Sequence, residues 1–208
     1  MITNTRQLAI LQLLFFVFMI TMNGLANGLP LNGYNTGEIS DMYPNRFVPA
    51  GFTFGIWGVI YLLLLGYVVY STSILWKRDE THTLSKAVIT TANYFILTCA
   101  LNGVWIMMWH MLLIELSLVL MVGFLVTLIV IYKKLQRHRI QLTGIKNLFL
   151  YVPFVVYLGW ISVATIANTT ALLVHYNWNG FGIDAIMWSC VMITIAALLG
   201  AYFSIFRR

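Results

Sequence analysis

Apolar residues fall in six long runs separated by short polar stretches, and each run is long enough to cross a bilayer, which needs about 20 residues. The predicted spans are residues 7–29, 52–76, 88–109, 112–132, 148–174 and 185–206. The first connection, residues 30–51, is rich in Pro, Gly and Asn and is the only long one. The third connection, near His110 and Met111, is so short that spans three and four should form an antiparallel hairpin.

The basic residues indicate how these spans are oriented, because cytoplasmic loops retain Lys and Arg. Placing both termini in the cytoplasm puts every basic residue except Arg46 on that side. The net charge of +6 is therefore interpreted as an orientation signal and not as a surface for nucleic acid. We predict an all-α integral membrane protein with cytoplasmic N and C termini.

Composition narrows the class of protein further. The chain is 61% hydrophobic and 9% charged, whereas a soluble domain carries about 25% charged residues. This excludes a soluble globular domain, a disordered chain, a secreted disulfide scaffold and a nucleic-acid module. Cys99 and Cys190 both fall in apolar runs without metal-ligand spacing, so buried thiols are expected and no metal site. We predict one membrane domain, residues 1–208.

The first span resembles a signal peptide in one respect: Arg6 is followed by an apolar run that ends near the small residues Gly24 and Ala26. The run is long for a signal peptide. Its removal would also break the even number of spans that places both termini inside. We therefore expect the first span to be retained.

Ionisable residues at mid-depth usually mark ion paths or proton relays, and the predicted spans carry none there. Glu115, near the outer end of span four, is the one candidate. We interpret it as an interfacial carboxylate at a helix N-terminus, where the helix dipole favours negative charge. Ion-coupled pumping and rhodopsin-like photochemistry are therefore disfavoured.

Three spans carry aromatic and amide side chains at helical spacing, so that each set lies on one helix face. They are Trp57 and Tyr61; Asn102, Trp105 and Trp109; and Tyr157, Trp160, Ala164 and Asn168. At 1.5 Å per residue, Trp57, Asn102 and Asn168 lie about 7–10 Å below the outer ends of their spans. A pocket for a flat apolar ligand and ordinary packing with interfacial Trp and Asn hydrogen bonds both account for this pattern.

Three sequence motifs resemble those of the tryptophan-rich sensory protein family (TspO/MBR, the translocator proteins). They are residues 47–61, FVPAGFTFGIWGVIY; residues 100–105, ALNGVW; and residues 157–168, YLGWISVATIAN. All three occur in the right order, on the expected spans and with the family's internal spacing. The resemblance covers residues 7–179, leaving residues 180–208 as an additional transmembrane helix.

The resemblance implies a five-helix bundle, often dimeric, with a pocket for porphyrins, sterols and drug-like aromatics beneath the first loop. The residues that would line or flank this pocket are Trp57, Tyr61, Asn102, Trp105, Tyr157, Trp160, Ala164 and Asn168. Three features depart from the family pattern: Val156 stands where a proline is usual, Met107 and Met108 replace a double Phe, and a sixth helix follows.

The favoured function is a membrane receptor, sensor or carrier for an apolar aromatic ligand in the outer half of the bilayer. No cofactor is required, although a porphyrin or haem-like ligand is expected to fit, and no catalytic residue is assigned. The expected partners are this ligand, the lipid bilayer and, as in the family, a second copy of the chain. A six-span transporter or channel, a porphyrin-degrading activity and a structural subunit stay open as alternatives. A bacterial-type inner or plasma membrane is the expected location.

Overall fold

The structure is a computed structural model that describes residues 4–29, 31–46, 50–77, 83–138 and 142–205. Within these ranges the regular structure is entirely helical. The α-helices are α1 (Thr5–Gly28), α2 (Thr36–Asp41), α3 (Ile56–Trp76), α4 (Thr83–His110), α5 (Ile114–Gln136), α6 (Gly144–Leu150), α7 (Val152–His175) and α8 (Ala185–Ile205). Short 3-10 turns occur at Leu31–Gly33, Gly51–Gly55 and Gly180–Gly182.

Five helical segments of the described chain are long and apolar enough to cross a membrane: Thr5–Gly28, Gly51–Trp76, Ser85–His110, Ile114–Gln136 and Gly144–His175. They coincide with the first five predicted spans, which confirms an integral, multi-pass membrane protein. The short third connection is also confirmed, because only residues 111–113 separate α4 from α5.

The predicted sixth segment is helical as α8, although its continuous described apolar stretch, Ile186–Ile195, is shorter than a span. Some residues used in the sequence argument lie outside the described residues. These are Phe47, Val48 and Pro49 of the first motif, and Arg78, Arg139, Arg207 and Arg208 of the orientation argument.

The fifth predicted span is interrupted where one continuous helix was expected. Helix α6 ends at Leu150, and α7 begins at Val152 with a proline in its first turn, Pro153. Proline has no N–H to donate and its ring would clash with the carbonyl four residues earlier, so it is tolerated in the first helical turn and not inside a helix. Pro153 therefore explains the break at Tyr151.

Helix α2 lies inside the first connection, where the sequence analysis predicts only a loop. Its N-terminus has a capping box: the Asn35 side chain accepts from the N–H groups of Gly37 and Glu38, and Glu38 accepts from the N–H of Asn35. This Asn-x-x-Glu pattern satisfies exposed amide groups on both sides of the helix start. The capping pattern is visible in the sequence, but a capping pattern alone does not predict a helix of only six residues.

The five long helices form a closed ring in which the neighbours follow the order α1, α4, α5, α7 and α3, and α8 lies outside it against α7. Gly103 allows α1 and α4 to approach closely, since a Cβ there would overlap the ring of Phe18. The end of the bundle that carries α2 is here called the α2 end.

Towards the opposite end, the interior is closed by aromatic side chains. The ring of Tyr67 lies edge-on to Phe95 at 4.9 Å and to Phe154 at 4.7 Å between ring centroids, and all three side chains are fully buried. Buried Gln12 also joins α1 to α3 there, donating to Ser71 Oγ at 3.0 Å. Packed side chains therefore fill the interior of this half of the bundle.

Tyr67→Ala should lower the stability of the bundle by about 3 kcal/mol, because removing a buried ring leaves a cavity that the neighbouring helices fill only in part. Thermal unfolding of the purified protein in detergent measures this change. Tyr34→Ala, which truncates an exposed tyrosine, is the matched control. Equal midpoints for the two variants would contradict a tightly packed core around Tyr67.

Candidate ligand-binding site

Trp57, in the first turn of α3, is the centre of an aromatic cluster formed by three helices. Its ring stacks on Tyr61 at 5.4 Å and on Trp105 of α4 at 6.2 Å between centroids. It also meets Tyr157 at 6.0 Å and Trp160 at 5.9 Å, both in α7 and both edge-on. Offset stacking and edge-to-face contacts are the favourable geometries for aromatic rings. The three faces identified in the sequence therefore meet at one place.

Two cavities adjoin this cluster. The first, here called the tryptophan pocket, has a volume of about 40 Å³, and five of the predicted site residues line it: Trp57, Trp105, Trp160, Ala164 and Asn168. The second, here called the α1 pocket, has a volume of about 310 Å³ and is lined by Trp57, Tyr61, Asn23 and neighbouring residues of α1. Thr36, Phe54 and Trp57 line both pockets. These three side chains thus form the shared wall between the two spaces.

Three hydrogen-bond donors at this cluster are buried without a partner among the described residues. They are Nε1 of Trp105, Nε1 of Trp160 and the hydroxyl of Tyr61. By contrast, Trp109 Nε1 in the same pocket donates to the carbonyl oxygen of Thr36 at 3.3 Å. A buried donor without an acceptor costs about 1–3 kcal/mol. The two indole N–H groups can only donate, so a matching ligand must provide an acceptor.

Asn102 occupies a hydrogen-bonded network beneath the pockets. Its Oδ1 accepts from Asn23 Nδ2 at 2.5 Å, and its own Nδ2 donates to the Tyr157 hydroxyl at 3.1 Å. The network joins α1, α4 and α7, and all three side chains are buried. Asn102 and Tyr157 thus lie next to the cavities without lining them, so a direct contact with ligand stays a prediction for both.

Asn168 combines a structural contact with a place on the pocket wall. Its Oδ1 accepts from Ser117 Oγ of α5 at 3.3 Å, and its Nδ2 lies 3.2 Å from the same oxygen. The contact with Ser117 Oγ uses part of the hydrogen-bonding capacity of the Asn168 amide and fixes the orientation of its side chain. The other hydrogen-bonding capacity of the amide faces the tryptophan pocket.

The segment that contains α2 covers the two pockets and is held in place by the end of α4. His110 Nε2 lies 3.2 Å from Thr36 Oγ1, and His110 Nδ1 lies 3.2 Å from the carbonyl oxygen of Leu31. Since a carbonyl only accepts, Nδ1 carries the proton in this arrangement. Asn32 Nδ2 donates to the backbone carbonyl of His110 at 3.1 Å. His110 therefore anchors residues 31–36 above the site.

A second polar cluster at the α2 end joins α5 to the end of α7. The Tyr176 hydroxyl donates to Glu115 Oε1 at 2.6 Å, and Glu115 lies in the first turn of α5, about half exposed. The hydrogen bond to this carboxylate raises the pKa of Tyr176 above its ordinary value, because ionising the phenol would place two negative charges side by side. The structure thus places Glu115 at the surface of the bundle.

Sequence reasoning missed several residues of the site. Thr36 and Ser40 come from the first connection, Phe54 comes from the turn before α3, and Val163 and Ala167 fill the wall beside Ala164. Asn23 could have been found, because an Asn within an apolar run needs a partner in the bundle. The residues from the connection had no comparable signal.

This architecture defines a multi-pass helical membrane protein with an aromatic pocket near one end of its bundle. The family model described as "TSPO-like protein" matches residues 9–208, so the chain belongs to this family, and the match includes α8. No curated protein and no solved structure matches the chain. Membership in the family indicates a membrane sensor or binding protein in general.

His110→Phe should loosen the segment above the site, because the ring keeps its bulk and loses both nitrogen contacts. Loss of about 1.4 kcal/mol of hydrogen bonding corresponds to a ten-fold faster amide exchange over residues 31–43. Hydrogen–deuterium exchange with mass spectrometry measures this rate. His138→Phe, near the opposite end of the bundle, is the control, and unchanged exchange in His110→Phe would show that the ring is not the anchor.

Proposed function

We propose that the protein binds a flat, apolar aromatic ligand that carries hydrogen-bond acceptors, of the porphyrin, sterol or drug-like class. The site lies between α1, α3, α4 and α7 and beneath α2. The observation that carries the proposal is the pair of unpartnered indole N–H groups of Trp105 and Trp160 beside two adjoining cavities. A ligand acceptor at these donors would remove the penalty of leaving them unsatisfied.

The volumes suggest how such a ligand is accommodated. The α1 pocket, at about 310 Å³, is at the lower end of the range of about 300–1,000 Å³ typical of small-molecule sites. The tryptophan pocket, at about 40 Å³, is far below this range and has room for water molecules only. Rotation of Trp57 and Phe54 out of their shared wall would unite the two pockets. The ligand would then lie against the ring of Trp57, with its polar edge towards Trp105 and Trp160.

The amides of the site have different roles in this proposal. Asn168 faces the tryptophan pocket and supplies a further hydrogen bond to the polar edge of the ligand. Asn102 holds Tyr157 and Asn23 in position and supports the pocket floor. It would contact ligand only after its bond to Asn23 or Tyr157 opens.

A receptor, sensor or carrier accounts for the interior better than an open channel does. The rings of Tyr67, Phe95 and Phe154 close the bundle below the pockets. A solute path would require all three buried rings to move apart. Binding beneath α2, with access from the surrounding leaflet, requires only local changes at Trp57 and Phe54.

The topology is part of the proposal. Helix α8 would be a sixth span, and both termini would lie in the cytoplasm of a bacterial-type cell with the α2 end outside. The orientation follows from the basic residues, all of which except Arg46 would lie on the cytoplasmic side. A homodimer, as is common in the family, is compatible with the lipid-facing surfaces of the ring.

The double variant Trp105→Phe/Trp160→Phe keeps both aromatic rings and removes both N–H donors. We expect protoporphyrin, which carries two carboxylates, to bind about 5- to 10-fold more weakly, since one net hydrogen bond contributes about 0.5–1.5 kcal/mol. Titration of the porphyrin absorption band with purified protein measures the Kd.

Trp76→Phe is the matched control, because Trp76 is exposed at the far end of α3. It should bind protoporphyrin as the wild type does. An unchanged Kd in the double variant would overturn the assignment of the two indoles. Unchanged binding in Trp57→Ala/Trp160→Ala as well would overturn the site as a whole.

The proposed topology predicts the sides on which two introduced cysteines react. Lys77→Cys should react with a membrane-impermeant thiol reagent only after the cells are opened, whereas Tyr34→Cys should react in intact cells. Labelling of each variant in intact and opened cells tests this, and the opposite pattern would reverse the orientation. Cys99 is buried, but Cys190 is exposed on α8, contrary to the burial expected from the sequence. Both variants are therefore made in a Cys190→Ser background.

A further inference from the structure

A third cavity lies outside the helix ring, between the end of α7 and the start of α8. Its volume is about 270 Å³, and it shares no lining residue with the tryptophan pocket or the α1 pocket. Thr170 lies five residues before the end of α7, and Met192 lies seven residues after the start of α8. At 1.5 Å per residue, the cavity therefore extends about 8–10 Å along the helices from the α2 end.

The α7–α8 connection gives this cavity a defined roof. Gly180 adopts φ +64, and its carbonyl accepts a hydrogen bond from Trp188 Nε1 at 2.9 Å. The rings of Trp178 and Trp188 lie 5.3 Å apart. These contacts fix α8 at a set distance from α7, so the space beneath them is a feature of the fold.

The lining between the helices is mostly apolar, with Leu173 and Val174 from α7 and Met192 from α8. Thr170, the deepest lining residue of α7, donates its hydroxyl to the carbonyl oxygen of Ile166. Asn45, Arg46 and Asn179 come from the connections and contribute polar groups at the mouth. Arg46 is exposed and makes no ion pair with any residue that the structure describes. The outer connections otherwise carry acidic residues, among them Glu38, Asp41 and Asp184. A lone cation over an apolar slot matches an amphiphile with an anionic head.

We propose that this α7–α8 cavity binds an anionic phospholipid of the leaflet at the α2 end. The phosphate pairs with the guanidinium of Arg46, a planar donor suited to bidentate phosphate contacts. The upper part of one acyl chain lies between Leu173, Val174 and Met192.

The position of the cavity favours a lipid over the ligand of the tryptophan pocket. The cavity lies outside the ring of five long helices, between α7 and α8, on the side of the bundle that faces the bilayer. The mouth lies where a headgroup lies, at the end of two apolar helices. The lipid would join α8 to the bundle and serve as part of its packing surface.

Native mass spectrometry of the full chain in a mild detergent tests the proposal, with phosphatidylglycerol and phosphatidylcholine of identical acyl chains in equal amounts. The wild type should retain phosphatidylglycerol about five-fold over phosphatidylcholine, the ratio that corresponds to about 1 kcal/mol for one basic side chain near the surface. Arg46→Gln should reduce this ratio to about one. Lys77→Gln, which removes an exposed charge at the opposite end, should leave it unchanged.

A second pair of variants tests the apolar part of the cavity. Met192→Trp fills the slot and should reduce retention of both lipids, whereas Met187→Trp, on the exposed face of α8, should not. The wild-type headgroup comparison needs no variant, so the proposal stays testable if a variant fails to fold. Equal retention of the two headgroups by the wild type, an unchanged ratio in Arg46→Gln, or displacement of the lipid by free glycerol phosphate would each overturn the proposal.

Discussion

Hydrogen-bonding groups within the apolar layer must find their partners inside the bundle, because lipid tails offer none. Asn23, Asn102 and Tyr157 satisfy one another and thereby fix the rotation of α1, α4 and α7. Gln12 and Ser71 do the same for α1 and α3 in the other half. The apolar surfaces alone would allow many helix rotations of similar energy, so these few polar pairs select the ring that is observed.

Among the described residues, five buried side-chain atoms lack a hydrogen-bond partner, and three of them belong to the aromatic cluster: those of Tyr61, Trp105 and Trp160. The other two belong to Tyr67 and Asn147. Trp105 and Trp160 keep their indole N–H groups buried without partners, although Trp109 in the same wall is satisfied by the backbone of Thr36. Because such exceptions are costly and rare in folded proteins, the three around Trp57 support the binding site proposed above.

The two ends of the bundle differ in the side chains that close them. At the α2 end the connections carry polar side chains, and His110 ties residues 31–36 over the pockets. At the other end Tyr67 and Phe154 close the core with ring contacts. The cavity beside α8 extends the same asymmetry outside the ring, since Arg46 lies at its mouth and apolar side chains lie below. Residues of the first connection line all three cavities.

The five long spans, the short α4–α5 hairpin and the helix faces that carry Trp57, Trp105 and Trp160 could all be predicted from the amino-acid sequence. Length, hydropathy and helical periodicity are local properties, and a membrane leaves a helix as the simplest way to satisfy the backbone. Three features required the folded structure: the hydrogen bond between Asn102 and Asn23, the residues of the first connection that complete the pocket wall, and the cavity between α7 and α8. These depend on which helices become neighbours and how each is rotated, and periodicity within one helix carries no information about its partner.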